Sequence, residues 1–596
     1  MTERRQVILG FCFIPSVFSS EEVLEAYYQS VAKPFLSIAF RFQDVHFAVF
    51  FSGPLLNWLR LRHSEYVAAL SEMLKRKQVE VLGGGFFAPL LPLIPPGDRV
   101  GQIEELTTTV RKMFGKRPRG LWLTKTVWDP GLVSTIAASG LEFTFLDEKE
   151  FERLGIEGQR LHQPRLTEFQ GRLLTVLPHH ARLSAEVQHG SFDGFLRWSR
   201  EAIGPGPSLL SIFHCFDSHE GTSFFSPGSA GFEAFLDLVR SENLSVESVT
   251  PSVVLRYYPQ ALERSYFTGT TYEDLAARLG RVAPPQSRLQ SWKHFLADDK
   301  AANSLYNKMV YVNLLVSSLR GDKYKKKSAY EDLWKSQTSS AYLGSAQQLV
   351  LERKQAFACL LNAEVLLRDR ATFTSALSSQ DFDLDGVKEY LFQGKSYNYY
   401  VDSFGGQVFE WDCLDRPWNY VDETGGRGIH RQVFVDRFFR IDQPEIDSAQ
   451  FYQREYKLAE LSRDSKTLAL VATDHLEGRG GLQPIRLRKT FIFDENTVQV
   501  DYELELLGGP DWEGWFTSEV HLTAAHGLQW LEPSNSVPVT QVVLADSFQK
   551  SRLQWSWTSA AQVSVEDGSV QPRWWMILHP GEPWRCRVNL LMMEEA

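Results

Sequence analysis

Along the first 285 residues, short apolar runs alternate with stretches of helical spacing. Residues 7–13 form an apolar run that predicts a strand, and Ser19-Ser20-Glu21-Glu22 then opens a helix with a capping hydroxyl and an acidic first turn. Alternating apolar positions over residues 35–51 predict a strand that ends at Ser52-Gly53-Pro54, with helical spacing from about residue 55 to 77. A strand follows at 79–82, closed by Gly83-Gly84-Gly85. The pattern continues with a helix over 98–114, a strand through Trp122, a helix over 132–139 and a strand at 142–146. A later strand at 209–213, a helix at 231–240 and a last strand and turn over 244–252 complete it. Strand–helix alternation of this kind predicts an α/β unit with a parallel sheet or barrel.

The period then changes twice. Residues 292–319 and 330–368 carry helical spacing on either side of a lysine-rich break at 322–328. Beyond residue 381 long helical patterns stop, and short alternating runs such as 434–439, 485–493 and 497–506 are separated by Gly, Pro, Asp and Asn. That is the pattern of an antiparallel β-sandwich. The expected division is therefore 1–285, 286–375 and 376–596.

Composition narrows the function. A net charge of −10 argues against a nucleic-acid partner, which needs a concentrated basic face. No apolar run reaches the ~18 residues of a membrane helix. Five scattered cysteines without a CxxC pair point to a reducing compartment rather than a disulfide framework or structural zinc. Arg4-Arg5 followed by an apolar run resembles a short signal segment, yet no small-residue cleavage site follows, so the expected location is cytoplasmic. HExxH, P-loop and dinucleotide fingerprints are absent from the sequence, so neither a metal nor a cofactor is expected.

One stretch concentrates the candidate chemistry. Lys116, Arg117 and Arg119 with Pro118 mark a basic loop, after which Trp122-Leu123-Thr124 leads to Lys125 and the turn at Pro130-Gly131. A charged residue at the C-terminal end of a parallel strand sits where α/β barrels keep their chemistry. Pattern alone makes Lys125 no more than the first solvated residue past the strand.

Longer motifs add a family reading. Trp122-Leu123-Thr124, Ser52-Gly53-Pro54-Leu55-Leu56, Gly83-Gly84-Gly85-Phe86-Phe87-Ala88-Pro89 and Asp98-Arg99-Val100-Gly101-Gln102-Ile103 resemble motifs of glycoside hydrolase family 57, the α-amylase and 4-α-glucanotransferase family. Lys308-Met309, residues 337–342, Asp381 to Gly386, Glu410 and Asp412 resemble its 4-α-glucanotransferase branch further along. The resemblance implies a (β/α)7 barrel, a helical bundle and a C-terminal β-sandwich.

The departures fall on polar positions. Lys125 occupies the nucleophile position, where the family has glutamate, and Cys215 occupies the acid/base position. Phe11, Phe13 and Phe50 replace histidines and Ala88 a glutamate, which would surround Lys125 with apolar groups. Asp217, Glu220 and Asp129 are the carboxylates that could be relocated acids or, on the plainer reading, caps and partners of Lys125. His214 and Cys215, adjacent on a strand, should diverge, and Cys215 reads as buried and inert. Trp122, Trp128, Phe87, His214 and Tyr266 are the candidate sugar contacts.

Three functions compete. The first is a catalytically degenerate homologue that binds α-1,4-glucan or maltooligosaccharide, or that partners an active enzyme or a second copy of itself. The second is an active 4-α-glucanotransferase or amylase-like enzyme with relocated carboxylates. The third is a structural subunit with a filled cleft.

Overall fold

The computed structural model describes residues 5–201, 208–218, 223–225, 231–257, 262–282, 285–344, 346–368, 373–421, 432–441, 447–478, 481–523, 529–532, 538–547, 549–566 and 569–594. The chain divides into two compact units, one of residues 1–299 with 337–348 and one of 300–336 with 349–596.

In the first unit the strands in chain order are β1 (Arg5–Phe13), β2 (Phe47–Phe51), β3 (Val79–Val81), β4 (Gly120–Leu121), β5 (Phe143–Asp147), β6 (Arg165–Phe169), β7 (Arg172–His179), β8 (Leu209–Phe216) and β9 (Val246–Ser248). Parallel pairing gives one run β3-β2-β1-β8 and a second run β4-β5-β7. A parallel bridge from Gly83 to Leu121 joins β3 to β4, and the His180 amide donates to the Ser211 carbonyl between β7 and β8. These are the seven strands of a (β/α) barrel. The antiparallel β6 forms a hairpin with β7, and β9 extends the start of β1.

The strands read as continuous apolar runs because both faces are covered. Gly10 shows which face of β1 points inward: a Cβ there would overlap the Phe213 ring. Phe213 in turn stacks on Trp122 at 4.4 Å and packs against Phe145 at 4.6 Å, filling the barrel with aromatic rings.

The expected strand over 35–51 is corrected. Residues Lys33–Arg41 form a helix with Pro34 in its first turn, and only Phe47–Phe51 is strand. Phe35, Leu36, Ile38 and Ala39 lie on the helix's buried face, so the apolar spacing here follows the 3.6-residue helical period rather than strand alternation. The segment 337–348 belongs to the barrel unit through two buried motif residues. Gln337 Nε2 donates to Asp98 Oδ2 at 2.6 Å, and Gln102 Nε2 donates to Gln337 Oε1 at 2.9 Å.

The second unit holds the helices Lys300–Ser318 and Lys323–Ser336, most of Ala346–Leu367, and an antiparallel β-sandwich. The lysine-rich segment expected as a break lies largely within the second helix, and Asp322 caps it by accepting from the Tyr324 and Lys325 amides. In the sandwich the strand Ser551–Glu566 pairs with Val539–Asp546 and Trp584–Glu594 over its first part and with Ser569–Leu578 over its second. It thereby links the two sheets. Strict alternation over Thr497–Leu506 places Val498, Val500, Tyr502, Leu504 and Leu506 in the apolar core.

A buried lysine in this unit is paired with several acids. Lys308, fully buried, lies 2.7 Å from both Glu410 and Asp412 and 3.3 Å from Glu364. Burial works against its charge, but Asp412, Glu364 and Glu410 together hold its pKa well above the usual range. Burial and the neighbouring Asp412 also raise the Glu410 pKa well above that of an ordinary carboxyl, opposed by Lys308. Among the described residues, no helix is long and apolar enough to cross a membrane.

Candidate functional site

The C-terminal ends of the barrel strands place Lys125 at the mouth. After β4 the chain makes a single turn over Thr124–Thr126, and Lys125 takes φ 54°, ψ 15° within it. Thr126 follows at φ 51°, so two successive side-chain-bearing residues occupy the left-handed region. Each such residue costs about 1–2 kcal/mol, which the surroundings must hold in place. Arg278 does so: its Nη1 donates to the Thr126 carbonyl at 2.8 Å, while the same guanidinium lies 3.5 Å from Asp147 and 3.4 Å from Glu150. Burial raises the Glu150 pKa, opposed by Arg153 and Arg278.

Lys125 Nζ donates to Asp217 Oδ2 at 3.1 Å, with the side chains 32% and 67% exposed. The pair ties the ends of β4 and β8 together. Asp129 instead closes the turn before the next helix by accepting from the Gly131 amide at 2.9 Å, and Glu220 lies outside the described residues. Of the two suggested carboxylates among the described residues, Asp217 is the one joined to Lys125.

Cys215 is exposed, which corrects the expectation of a buried thiol. Its register partner on β1 is Cys12, which is buried. Burial, together with the hydrogen-bonded Cys215, holds the Cys12 thiol well above its ordinary pKa. His214 faces the other way, between Phe11 at 5.5 Å and Phe224 at 4.7 Å, and burial lowers its pKa to about 3. The two neighbours form no dyad.

The expected apolar ring around Lys125 also changes. Phe11 and Phe13 lie on the outer face of β1, packed on Phe35 at 4.6 and 5.2 Å, so neither helps fill the mouth. Trp122, Trp128, Phe87 and His214 are buried, whereas Tyr266 is 57% exposed. Trp122 meets the buried His179 at 5.6 Å, and burial lowers the His179 pKa to about 4.

Sequence reasoning missed Arg278, Asp147 and Glu150. Asp147 ends β5 and carried the signal of a charged residue at a barrel strand terminus. Arg278 gave no signal, because it reaches the mouth from a helix 152 residues beyond Thr126. Also missed was the cation-binding potential of Asp381, Asp383 and Asp385, whose ligand oxygens lie within 4.8 Å of one another. Asp-x-Asp-x-Asp-Gly is the opening of a calcium-loop spacing. These exposed carboxylates could hold a divalent cation, although such groups also occur without one.

The "Glycosyl hydrolase family 57" model matches residues 12–260, the stretch that builds this barrel. The chain resembles glycosyl hydrolase family 57. It is 26% identical over 527 residues to "Alpha-amylase 1" of Dictyoglomus thermophilum, covering 78% of this chain and 75% of that one. Against a "4-alpha-glucanotransferase" of Thermococcus kodakarensis it is 25% identical over 435 residues, 68% of this chain and 64% of the relative's length. The crystal structure of a 4-alpha-glucanotransferase from Thermococcus litoralis superposes with a TM-score of 0.81 at 19% identity, covering 99% of this chain and 100% of that one. That likeness establishes the fold.

Proposed function

We propose that this chain is a catalytically degenerate family 57 relative that binds α-1,4-glucan or serves a partner that acts on it. The observation that carries this reading is the Lys125–Asp217 pair at the position where the family resemblance calls for a nucleophile. A retaining glycosidase uses two carboxyl groups about 5–5.5 Å apart around a cationic transition state. A carboxylate at ~4 Å attracts that cation by about 4 kcal/mol at an effective dielectric near 20. An ammonium repels it by a similar amount, so the exchange raises the barrier by roughly 8 kcal/mol, between five and six decades in rate. Asp217, the carboxylate at hand, is engaged by Lys125.

A second reading, a structural subunit with a filled cleft, is favoured by the burial of Trp122 and Trp128. Incubation with maltoheptaose, with chromatography of the products beside a calorimetric titration, separates the cases. The proposal expects no shorter or longer oligosaccharides and a saturable heat of binding. Absence of both products and heat supports the filled cleft. New chain lengths would overturn both readings.

A further inference from the structure

The basic loop ahead of Trp122 takes no part in the mouth. It lies at the opposite end of the barrel, where β3 and β4 begin, and helps to line a cavity of about 240 Å³. The apolar wall includes Val81, Val110, Phe114 and Val253. Lys77, Lys116, Arg117 and Arg256 also line it, and all four residues are exposed. They come from three separate stretches of chain: the turn before β3, the loop before β4, and the helix Pro251–Tyr257. No ion pair joins any of the four to a carboxylate among the described residues. Arg119, the fifth cation in the lining, differs, because Glu142 accepts from both its Nε and its Nη2.

The lining contains one acid, Glu80. Its carboxylate accepts from the Ser252 amide at 2.8 Å and the Ser252 hydroxyl at 2.5 Å. Burial raises its pKa, opposed by the Ser252 hydrogen bonds and by Arg119. A chain of net charge −10 thus gathers four unanswered cations around one apolar hollow. Like charges held together cost free energy unless an anion answers them, and lysine and arginine are the side chains that take phosphate oxygens.

We propose that this cavity binds a small phosphomonoester, the phosphate held by Lys77, Lys116, Arg117 and Arg256 and an organic body of about hexose size resting on the apolar wall. At ~30 Å³ per water the hollow holds roughly eight water volumes. That is below the ~300 Å³ at which drug-sized pockets begin, so a single compact metabolite fits. The site is separate from the Lys125 mouth, and the proposal stands independently of the glucan reading.

The test is calorimetric titration of the full chain at low salt with glucose 6-phosphate, inorganic phosphate and glucose. Glucose 6-phosphate should give saturable heat that weakens as salt is raised, and glucose should give none. Arg117→Ala with Arg256→Ala should weaken binding at least tenfold, with an unchanged melting profile showing that the fold is retained. Glu80→Gln, whose amide oxygen can still accept from the Ser252 amide while its NH2 donates to the Ser252 hydroxyl, removes the acid and should bind at least as tightly as the parent. No saturable heat with glucose 6-phosphate, or equal affinity in the double variant, would overturn the proposal. Inorganic phosphate binding as tightly as the ester would also overturn it, because the apolar wall would then contribute nothing.

Discussion

Replacing Lys125 separates what the residue does for stability from what it denies to chemistry. The ammonium sits 3.1 Å from an Asp217 carboxylate that is 67% exposed. A pair that wet is worth about 0.2–1 kcal/mol, so Lys125→Met should cost roughly 0.5 kcal/mol. Lys125→Glu turns attraction into repulsion, about 1 kcal/mol at 4 Å in water and more at lower dielectric. The total loss should then be about 1–2 kcal/mol. Lys125→Gly removes the same pair but also relieves the φ of 54°. A gain of about 1–2 kcal/mol from the left-handed region is offset by ~0.5–1 kcal/mol of extra unfolded-chain entropy and by the lost pair, leaving this variant near neutral. The expected order of stability is parent and Gly together, then Met, then Glu. Scanning calorimetry of the four proteins, repeated in 1 M NaCl where exposed pairs are screened, measures it. Lys125→Gly clearly less stable than Lys125→Met would show that the backbone is not strained at this turn. Activity supplies a second readout. Lys125→Glu alone should remain silent towards maltoheptaose because Cys215 stands at the acid position, whereas Lys125→Glu with Cys215→Asp restores a minimal pair. Longer and shorter products from the single variant would mean that a proton donor is already in place, and the degenerate reading would fall.

Three further outcomes are expected. Cys215 is exposed and the other four cysteines are buried, so the native protein should react with one equivalent of a thiol reagent and the Cys215→Ala protein with none. In the sandwich, Lys489 and Asp436 form a fully buried pair at 2.7 Å, so Lys489→Met should cost about 3–5 kcal/mol while Lys489→Met with Asp436→Leu recovers most of it; urea unfolding of both variants decides. On acidification the barrel should weaken first. Burial holds His179 and His162 at about 4 and His214 at about 3, against 6.5 ordinarily, so the unfolded chain takes up protons first and stability is lost as pH falls from about 6.5. Burial opposes ionisation of Glu364, yet Lys308 and Arg368 hold it down to about 2, so its contribution is present above about 4.5 and lost only below. Calorimetry from pH 7 to 3 should show the barrel's transition moving before the sandwich's.

Much of the fold was legible because its periods are clean. The sandwich strand Thr497–Leu506 alternates without exception, and the barrel strands are too apolar to lie anywhere but between two covered faces. Lys125 was legible as a site because it ends a strand within a motif. The identity of its partner was not, since Asp217 and Glu220 stand three residues apart in the sequence and the spacing treats them alike. The structure joins Asp217 to Lys125 because Asp217 is the residue immediately after β8.

Facing directions were the harder part. Motif alignment placed Phe11 and Phe13 where the family has histidines, and their apolar character suggested a plugged mouth. A strand turns successive side chains to opposite faces, so a motif fixes two alternate positions together but leaves open which face they share. On β1 the choice is made by Gly10. Only a residue without Cβ leaves room there for the Phe213 ring, which belongs to the inner layer with Trp122. Gly10 and Cys12 therefore point inward, and Phe11 and Phe13 meet Phe35 outside. The inner positions that β1 itself contributes are thus a glycine and a thiol rather than rings. That reasoning makes Gly10→Ala the most damaging one-carbon change on β1. It drives a methyl into Phe213 and should cost about 1–3 kcal/mol by overpacking. The same methyl with Phe213→Leu should recover part of the loss, measured as the barrel's calorimetric transition. Equal stability of Gly10→Ala and the parent would mean that Phe213 does not fill the barrel and that β1 is turned the other way.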